Sequence, residues 1–247
     1  DDYEQRVKRA GFPLLAIDDD QHATHRSADV ILNQNLHAQR SDYDRSNSEL
    51  LLGSDYAMLR RQFAPAAFRV REIPDVATKL LVTMGGGDPD NVTTMVLHSL
   101  SLVSSSADFK VIVVVGAANP HHEEIATLAR NAPFDVELQQ NVANIAELMT
   151  WTNMAIAAAG STFWELAYVG VPFLTVVLAD NQQPVAESID REFGETNLGW
   201  FHNCTAQRIA ARVEALIHDS EKREQLSESG MQLIDGHGAA RVVRRLR

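Results

Sequence analysis

Residues 82–93 read VTMGGGDPDNVT: an apolar run, three consecutive glycines, then Asp-Pro-Asp-Asn. The stretch decides the fold, because it joins a buried strand to a helix through a turn that carries no side chains. Asp88 is expected at the N-cap and Pro89 at the first helical position, the preferred chemistry for opening a helix. Gly85, Gly86 and Gly87 permit positive φ and leave bare N–H groups at the positive end of the helix dipole, where a phosphate is favoured. A tight turn asks for the same residues. The stretch alone therefore leaves phosphate binding and a plain turn both open.

Outward from it, KLLVTM, KVIVVV, FDVEL, MAIAAA and FLTVVL alternate with amphipathic segments from Lys79 onward. That alternation predicts βαβ units and a parallel sheet covered on both faces. A second turn of the same kind, AIAAAGSTFWEL at 155–166, runs from strand through Gly160, Ser161 and Thr162 into a helix. A third, LADNQQPVAESI at 178–189, ends a strand in Asp180, Asn181, Gln182 and Gln183. In open α/β sheets the carboxyl ends of the strands share one edge, so the three loops are expected to line one crevice. Glu165 has two readings. With Thr162 it matches a capping box, and as a carboxylate it could accept hydrogen bonds from a ribose diol; spacing alone favours the cap.

Residues 1 to about 70 read differently: a helix in YEQRVKRA, strands in PLLAI and DVILNQN, then SELLLGSDYAMLRRQF. This is too little for a complete α/β domain, and the polar, proline-bearing RVREIPDVAT at 69–78 reads as a linker. The expected organisation is the C-terminal part of an incomplete N-terminal α/β domain at 1–70 and a Rossmann-like domain at 71–247. Residues 205–235 are helical by spacing, with glycines at the end.

Composition narrows the function classes. The 247 residues are 45% hydrophobic and carry a net charge of −11, enough for a large core and against a nucleic-acid partner. An anion must then be held by local dipoles. The lone Cys204 cannot form an internal disulfide, so a reducing compartment is expected. The longest apolar runs are too short to span a bilayer and DDYEQRVKRA is no signal peptide, which gives cytoplasm as the setting and no membrane partner. His121 and His122 read as exposed. The scattered histidines and Cys204 make no metal or nucleophile constellation.

These motifs, in order, resemble the UDP-2,4-diacetamido-2,4,6-trideoxy-β-L-altropyranose hydrolases of pseudaminic acid biosynthesis and their spore-coat polysaccharide relatives. LLAIDDDQHATHRSADVILNQNL, LLGSDYAMLRRQF, LLVTMGGGDPDN, AAAGSTFWELAYVGVP, VLADNQQP and DGHGAARVVRRL carry the resemblance across nearly the whole chain. It implies a glycosyltransferase-B-like fold of two Rossmann-like domains, the N-terminal one incomplete in this chain. Gly85, Gly86, Gly87, Asp88, Gly160, Ser161 and Thr162 would contact the diphosphate or nucleotide of UDP. Glu165 would bind the ribose, reversing the preference for a cap. Asn181 would stand beside the sugar at the reacting centre as the catalytic position, with Tyr56 and Gln182 near the substrate. Tyr56 and Arg60 fall in a family element near the domain junction.

The implied reaction is hydrolysis of a UDP-sugar at the anomeric carbon, releasing the sugar and UDP, with no metal or other cofactor and the chain acting as a monomer. The family carries a catalytic histidine in an N-terminal Gly-x-Gly-His segment that has no counterpart here, and neither His22 nor His25 matches it. The sequence is therefore read as beginning late in the N-terminal domain. Two other functions stay open: a glycosyltransferase that needs an acceptor, and a nucleotide-sugar binding module without turnover.

Overall fold

The computed structural model describes residues 2–19, 27–43, 47–64, 71–104 and 109–246. Helix α1 (Asp2–Arg9) precedes a three-stranded parallel sheet of β1 (Leu15–Ile17), β2 (Val30–Asn33) and β3 (Glu49–Leu52), in the order β1-β2-β3. The second sheet is larger and also wholly parallel. Its strands are β4 (Lys79–Thr83), β5 (Lys110–Val115), β6 (Asp135–Gln140), β7 (Met154–Ala158), β8 (Phe173–Val177) and β9 (Asn197–Trp200). They lie in the order β6-β5-β4-β7-β8-β9.

The strand sequences explain this layering. β7 and β8 are buried at every residue, and β4 at all but its first, so they show no polar alternation. Continuous apolar strands of that kind need helices on both faces. The crossovers supply them as α2 (Val92–Leu100), α3 (His122–Asn131), α4 (Ile145–Trp151), α5 (Thr162–Val169) and α6 (Gln183–Phe193). β6, at the sheet edge, reads DVELQQ and stays half-exposed. Behind α5, the rings of Phe163, Phe173 and Phe193 meet edge to face at 5.2–5.6 Å, a favoured aromatic geometry that fixes the helix against β8 and α6.

Several sequence expectations change. α2 opens at Val92, three residues after Pro89, because Asp88 (φ +43) and Asn91 (φ +54) both adopt left-handed backbone that no helix interior accepts. Residues 205–235 form two helices, α7 (Ala206–His218) and α8 (Ser220–Leu233), broken at Asp219, whose carboxylate accepts the Lys222 N–H at 2.8 Å. The edge strand β9 lies outside the expected strands; NLGW is short and carries a glycine at positive φ.

The stretch read as a linker is anchored over its described part. The Arg71 guanidinium donates to the carbonyls of Met149, Thr152 and Gly170 at the ends of α4 and α5, where helix dipoles favour a cation. Buried Arg223 donates to the carbonyls of Pro74 and Asp75 at 2.8 and 2.9 Å. Finally, α9 (Gly238–Arg245) packs on the first sheet: Val242 joins Val30, Leu32 and Leu51 in one cluster, and Arg241 donates to the Asp55 carbonyl at 2.9 Å. The last helix thus belongs, by its contacts, with the first sheet. Among the described residues no helix is long and apolar enough to cross a membrane.

Candidate functional site

Strand order in the large sheet reverses between β4 and β7, so the crossovers leave in opposite directions and a crevice opens at the carboxyl ends of that pair. A cleft of about 480 Å³ occupies it. Its walls are the glycine turn after β4, the Gly160–Thr162 turn after β7, the loop after β8 and, from the first sheet, Asp19, Gln34 and Asn35. The three loops singled out in the sequence therefore share one cavity.

The glycines of the first turn are under two different constraints. Gly85 takes φ +85, which only glycine adopts at no cost. Gly86 and Gly87 have no positive φ, and a Cβ on either would meet open space. The neighbouring loop after β5 supports the turn. A Cβ on Gly116 would collide with the Gly86 carbonyl, and His121 Nε2 lies 2.9 Å from the Pro89 carbonyl oxygen. His121 is thus half-buried against the glycine turn, a contact between loops that spacing along one chain does not reveal.

Asp88 caps from further back than expected. Its carboxylate accepts the N–H groups of Val92 at 2.8 Å and Thr93 at 3.0 Å, and only 3% of the residue is exposed. The first donors of α2 are consequently occupied, and the amides left to a ligand are those of the turn itself. Among the described residues, the N–H groups of Gly86, Gly87, Ser161 and Thr162 have no protein acceptor. The last two also stand at the positive end of α5. No lysine, arginine or histidine lines the cleft among the described residues, whereas Asp19, Asp88 and Asp90 do. Among the described residues, the donors the cleft offers an anion are backbone amides, hydroxyls and the side-chain amides of Gln34, Asn35, Asn181 and Gln182.

In the third loop Asn181 is exposed in the cleft. Gln182 Oε1 accepts the Leu178 N–H at 2.9 Å, which closes the loop and leaves the Gln182 amide nitrogen beside Gly160. The opposite wall rests on a buried polar network: the Tyr43 hydroxyl donates to Asp18 at 2.9 Å and accepts from Asn33 at 3.0 Å, and Asn33 Oδ1 accepts the Asn35 N–H at 3.0 Å. Burial pushes the Tyr43 hydroxyl pKa up, so it stays a donor.

Glu165 does not form the capping box. Ser161, not Thr162, precedes the first residue of α5, and no side-chain cap forms. The carboxylate instead takes a two-pronged bond from Arg60, Nε to Oε1 at 2.5 Å and Nη2 to Oε2 at 2.6 Å. A charged fork outcompetes a single backbone amide, and it raises the Arg60 pKa. Glu165 is 6% exposed and is not among the residues lining the cleft. Tyr56 is also not brought to the cleft; it borders a separate depression with Asp55, Arg241, Arg244 and Arg245. Cys204 is half-buried with its Sγ donating to the Leu198 carbonyl, and burial raises its pKa. His22 and His25 lie outside the described residues. Among the described residues no group of His, Cys, Asp and Glu is arranged to hold a metal ion.

Residues 79–240, which run from β4 through all three cleft loops, match the glycosyltransferase family 28 C-terminal domain. The chain belongs to that family. Two relatives match over more of the chain than this segment. The chain is 25% identical over 201 residues to the spore coat polysaccharide biosynthesis protein SpsG of Bacillus subtilis, covering 81% of this chain and 59% of that protein. It is 28% identical over 190 residues to the UDP-2,4-diacetamido-2,4,6-trideoxy-beta-L-altropyranose hydrolase of Campylobacter jejuni, covering 75% of this chain and 65% of that one. The chain thus spans less than two thirds of the length of either relative. Among solved structures, MurG of Acinetobacter baumannii superposes with a TM-score of 0.68 at 15% identity, over 98% of this chain and 69% of that one. The fold is glycosyltransferase-B-like.

Proposed function

We propose that the cleft binds a UDP-sugar and that the protein hydrolyses it at the anomeric carbon, releasing UDP and a 2,4-diacetamido-2,4,6-trideoxy sugar for surface-polysaccharide or nonulosonic acid synthesis. The observation that carries this reading is the pair of amide-bearing turns, Gly85–Gly87 and Gly160–Thr162, facing one cleft across the switch point of a family 28 domain. Their donors suit a diphosphate, and they suit it better as the bond breaks and charge gathers on the leaving oxygen. The similarity to the Campylobacter hydrolase supports the sugar.

In this reading Gly86, Gly87, Ser161 and Thr162 hold the diphosphate, Gly85 and Asp88 shape the turn that presents it, and Glu165 accepts the ribose hydroxyls. Asn181 and the Gln182 amide meet the sugar. Water forms the new bond to C1, the C1–O bond breaks with its electron pair leaving on UDP, and the water proton passes to a base. Among the described residues no histidine lines the cleft, and the base is left unassigned.

A transferase reading shares the same UDP cradle and is favoured by the family to which the chain belongs. The two separate in one assay. Incubation with the UDP-sugar in water should release UDP, and Asn181→Ala should lower turnover more than UDP affinity. Release of UDP only after an acceptor is added would replace hydrolysis with transfer, and UDP affinity without turnover under either condition would leave a binding module.

A further inference from the structure

The first sheet supplies one wall of the cleft, and hydrogen bonds fix how that wall faces it. β1 and β2 run parallel with Ile17 beside Leu32, so the segments that follow them leave the sheet together and bring Asp19, Gln34 and Asn35 to the cavity. Beneath them lies the buried network of Asp18, Tyr43 and Asn33, and Asn33 Oδ1 ties down the backbone at Asn35. A buried polar network whose members pair with one another rigidifies what it carries.

Two side-chain amides on this wall are engaged at one end only. Gln34 Oε1 accepts the Met58 N–H at 2.8 Å, and Asn35 Nδ2 donates to the Asp19 carbonyl at 3.3 Å. Neither amide can be turned over, because a backbone N–H only donates and a carbonyl only accepts. The free ends are therefore opposite in kind: Gln34 Nε2 is a donor and Asn35 Oδ1 an acceptor, and among the described residues neither has a protein partner. A carboxylate or phosphate would suit the donor and be repelled by the acceptor, and by Asp19 on the same wall. A secondary amide carries its acceptor and its donor on separate atoms, C=O and N–H, and answers both. We infer that Gln34 and Asn35 form the subsite for one acetamido group of the sugar, with Gln34 Nε2 donating to its carbonyl oxygen and Asn35 Oδ1 accepting its N–H. A site built to bond a polar group rejects the analogue that lacks it, so this wall selects an N-acetylated sugar over a hydroxylated one. The inference rests on the reading of the cleft as a UDP-sugar site and deepens it to the group on the sugar that is recognised.

The test is calorimetric titration with UDP, with UDP-glucose, which has no acetamido group, and with UDP-2,4-diacetamido-2,4,6-trideoxy-β-L-altropyranose. Asn181→Ala is the background, so that cleavage does not run during the titration, and Gln34→Met and Asn35→Ala are added to it singly. Both changes are neutral, so neither alters the charge that UDP meets. One lost hydrogen bond between uncharged groups should weaken the diacetamido nucleotide by about 3- to 10-fold in each variant. UDP and UDP-glucose should bind each variant as they bind the background protein, which also shows that the variants are folded.

Equal weakening of all three ligands would make the two side chains merely structural, and equal weakening of both nucleotide sugars with UDP unchanged would make them hydroxyl contacts; either overturns the inference. Unchanged binding of the diacetamido nucleotide in both variants would do the same. Background protein that binds UDP but holds the diacetamido nucleotide no tighter than UDP-glucose removes the acetamido subsite and keeps the nucleotide site, whereas background protein that binds none of the three removes the UDP-sugar reading as well.

Discussion

Gly86→Leu separates a binding turn from a merely structural one, because the structure gives three neighbouring glycines three different constraints. At Gly86 the backbone is not left-handed and a Cβ meets nothing within 4 Å, so the folded state admits a side chain. The expected change in stability is within about 1 kcal/mol, as for other unconstrained surface positions. The added side chain would stand over the amides that face the cleft. Loss of two hydrogen bonds to a charged diphosphate, less what solvent returns, amounts to about 2–4 kcal/mol, or roughly 30- to 1,000-fold in Kd. Gly85→Ala must instead place a Cβ at φ +85 and should cost about 1–2 kcal/mol of stability. Gly116→Ala drives its Cβ into the Gly86 carbonyl, and overpacking against backbone should cost about 1–3 kcal/mol. Urea unfolding and calorimetric UDP titration of the three variants give the two axes. Unchanged UDP affinity in Gly86→Leu, with its fold intact, would refute the assignment of this turn to phosphate.

Asp88→Ala removes both acceptors at the start of α2 and leaves a β-carbon in left-handed backbone, so a loss of about 2–4 kcal/mol in urea unfolding is expected, while Asp88→Asn, which tolerates that backbone, should lose about half as much. Equal losses would show that charge matters more than the backbone. The Arg241 guanidinium, first through its hydrogen bond, holds the Asp235 carboxyl at about 2, below the ordinary 3.8. Since the folded-state value is the lower one, the pair stabilises above about pH 4 and the contribution is lost as pH falls toward 2. Both side chains are about a third or more exposed, so screening keeps the effect below about 1 kcal/mol. Acid unfolding should show that increment in wild type and lack it in Asp235→Asn; identical pH dependence in the two would contradict it.

What could be read in advance follows the range of the interactions. The strands of the large sheet are visible because burial on both faces imposes apolar runs such as KVIVVV, a local signal. The common edge for the loops at 85–88, 160–162 and 180–183 follows from parallel topology alone. Helix boundaries were less legible: the Asp-Pro pair looks like a helix start, yet two left-handed residues push α2 to Val92, and backbone handedness at Asp or Asn leaves no mark in composition. Contacts between distant segments left no trace. Arg60 and Glu165 are 105 residues apart, His121 reaches back 32 residues to Pro89, and α9 returns to a sheet that the chain left long before. Tyr56 shows the same limit, since the stretch LLGSDYAMLRRQF around it says nothing of which depression the ring borders.

The most direct measurement is a crystal structure of the protein soaked with UDP. The expected density places the diphosphate oxygens within about 3 Å of the N–H groups of Gly86 or Gly87 and of Ser161 or Thr162, with the ribose toward α5 and the terminal phosphate toward Asn181. Nucleotide bound outside this cleft, or a cleft still empty at saturating UDP, would contradict it.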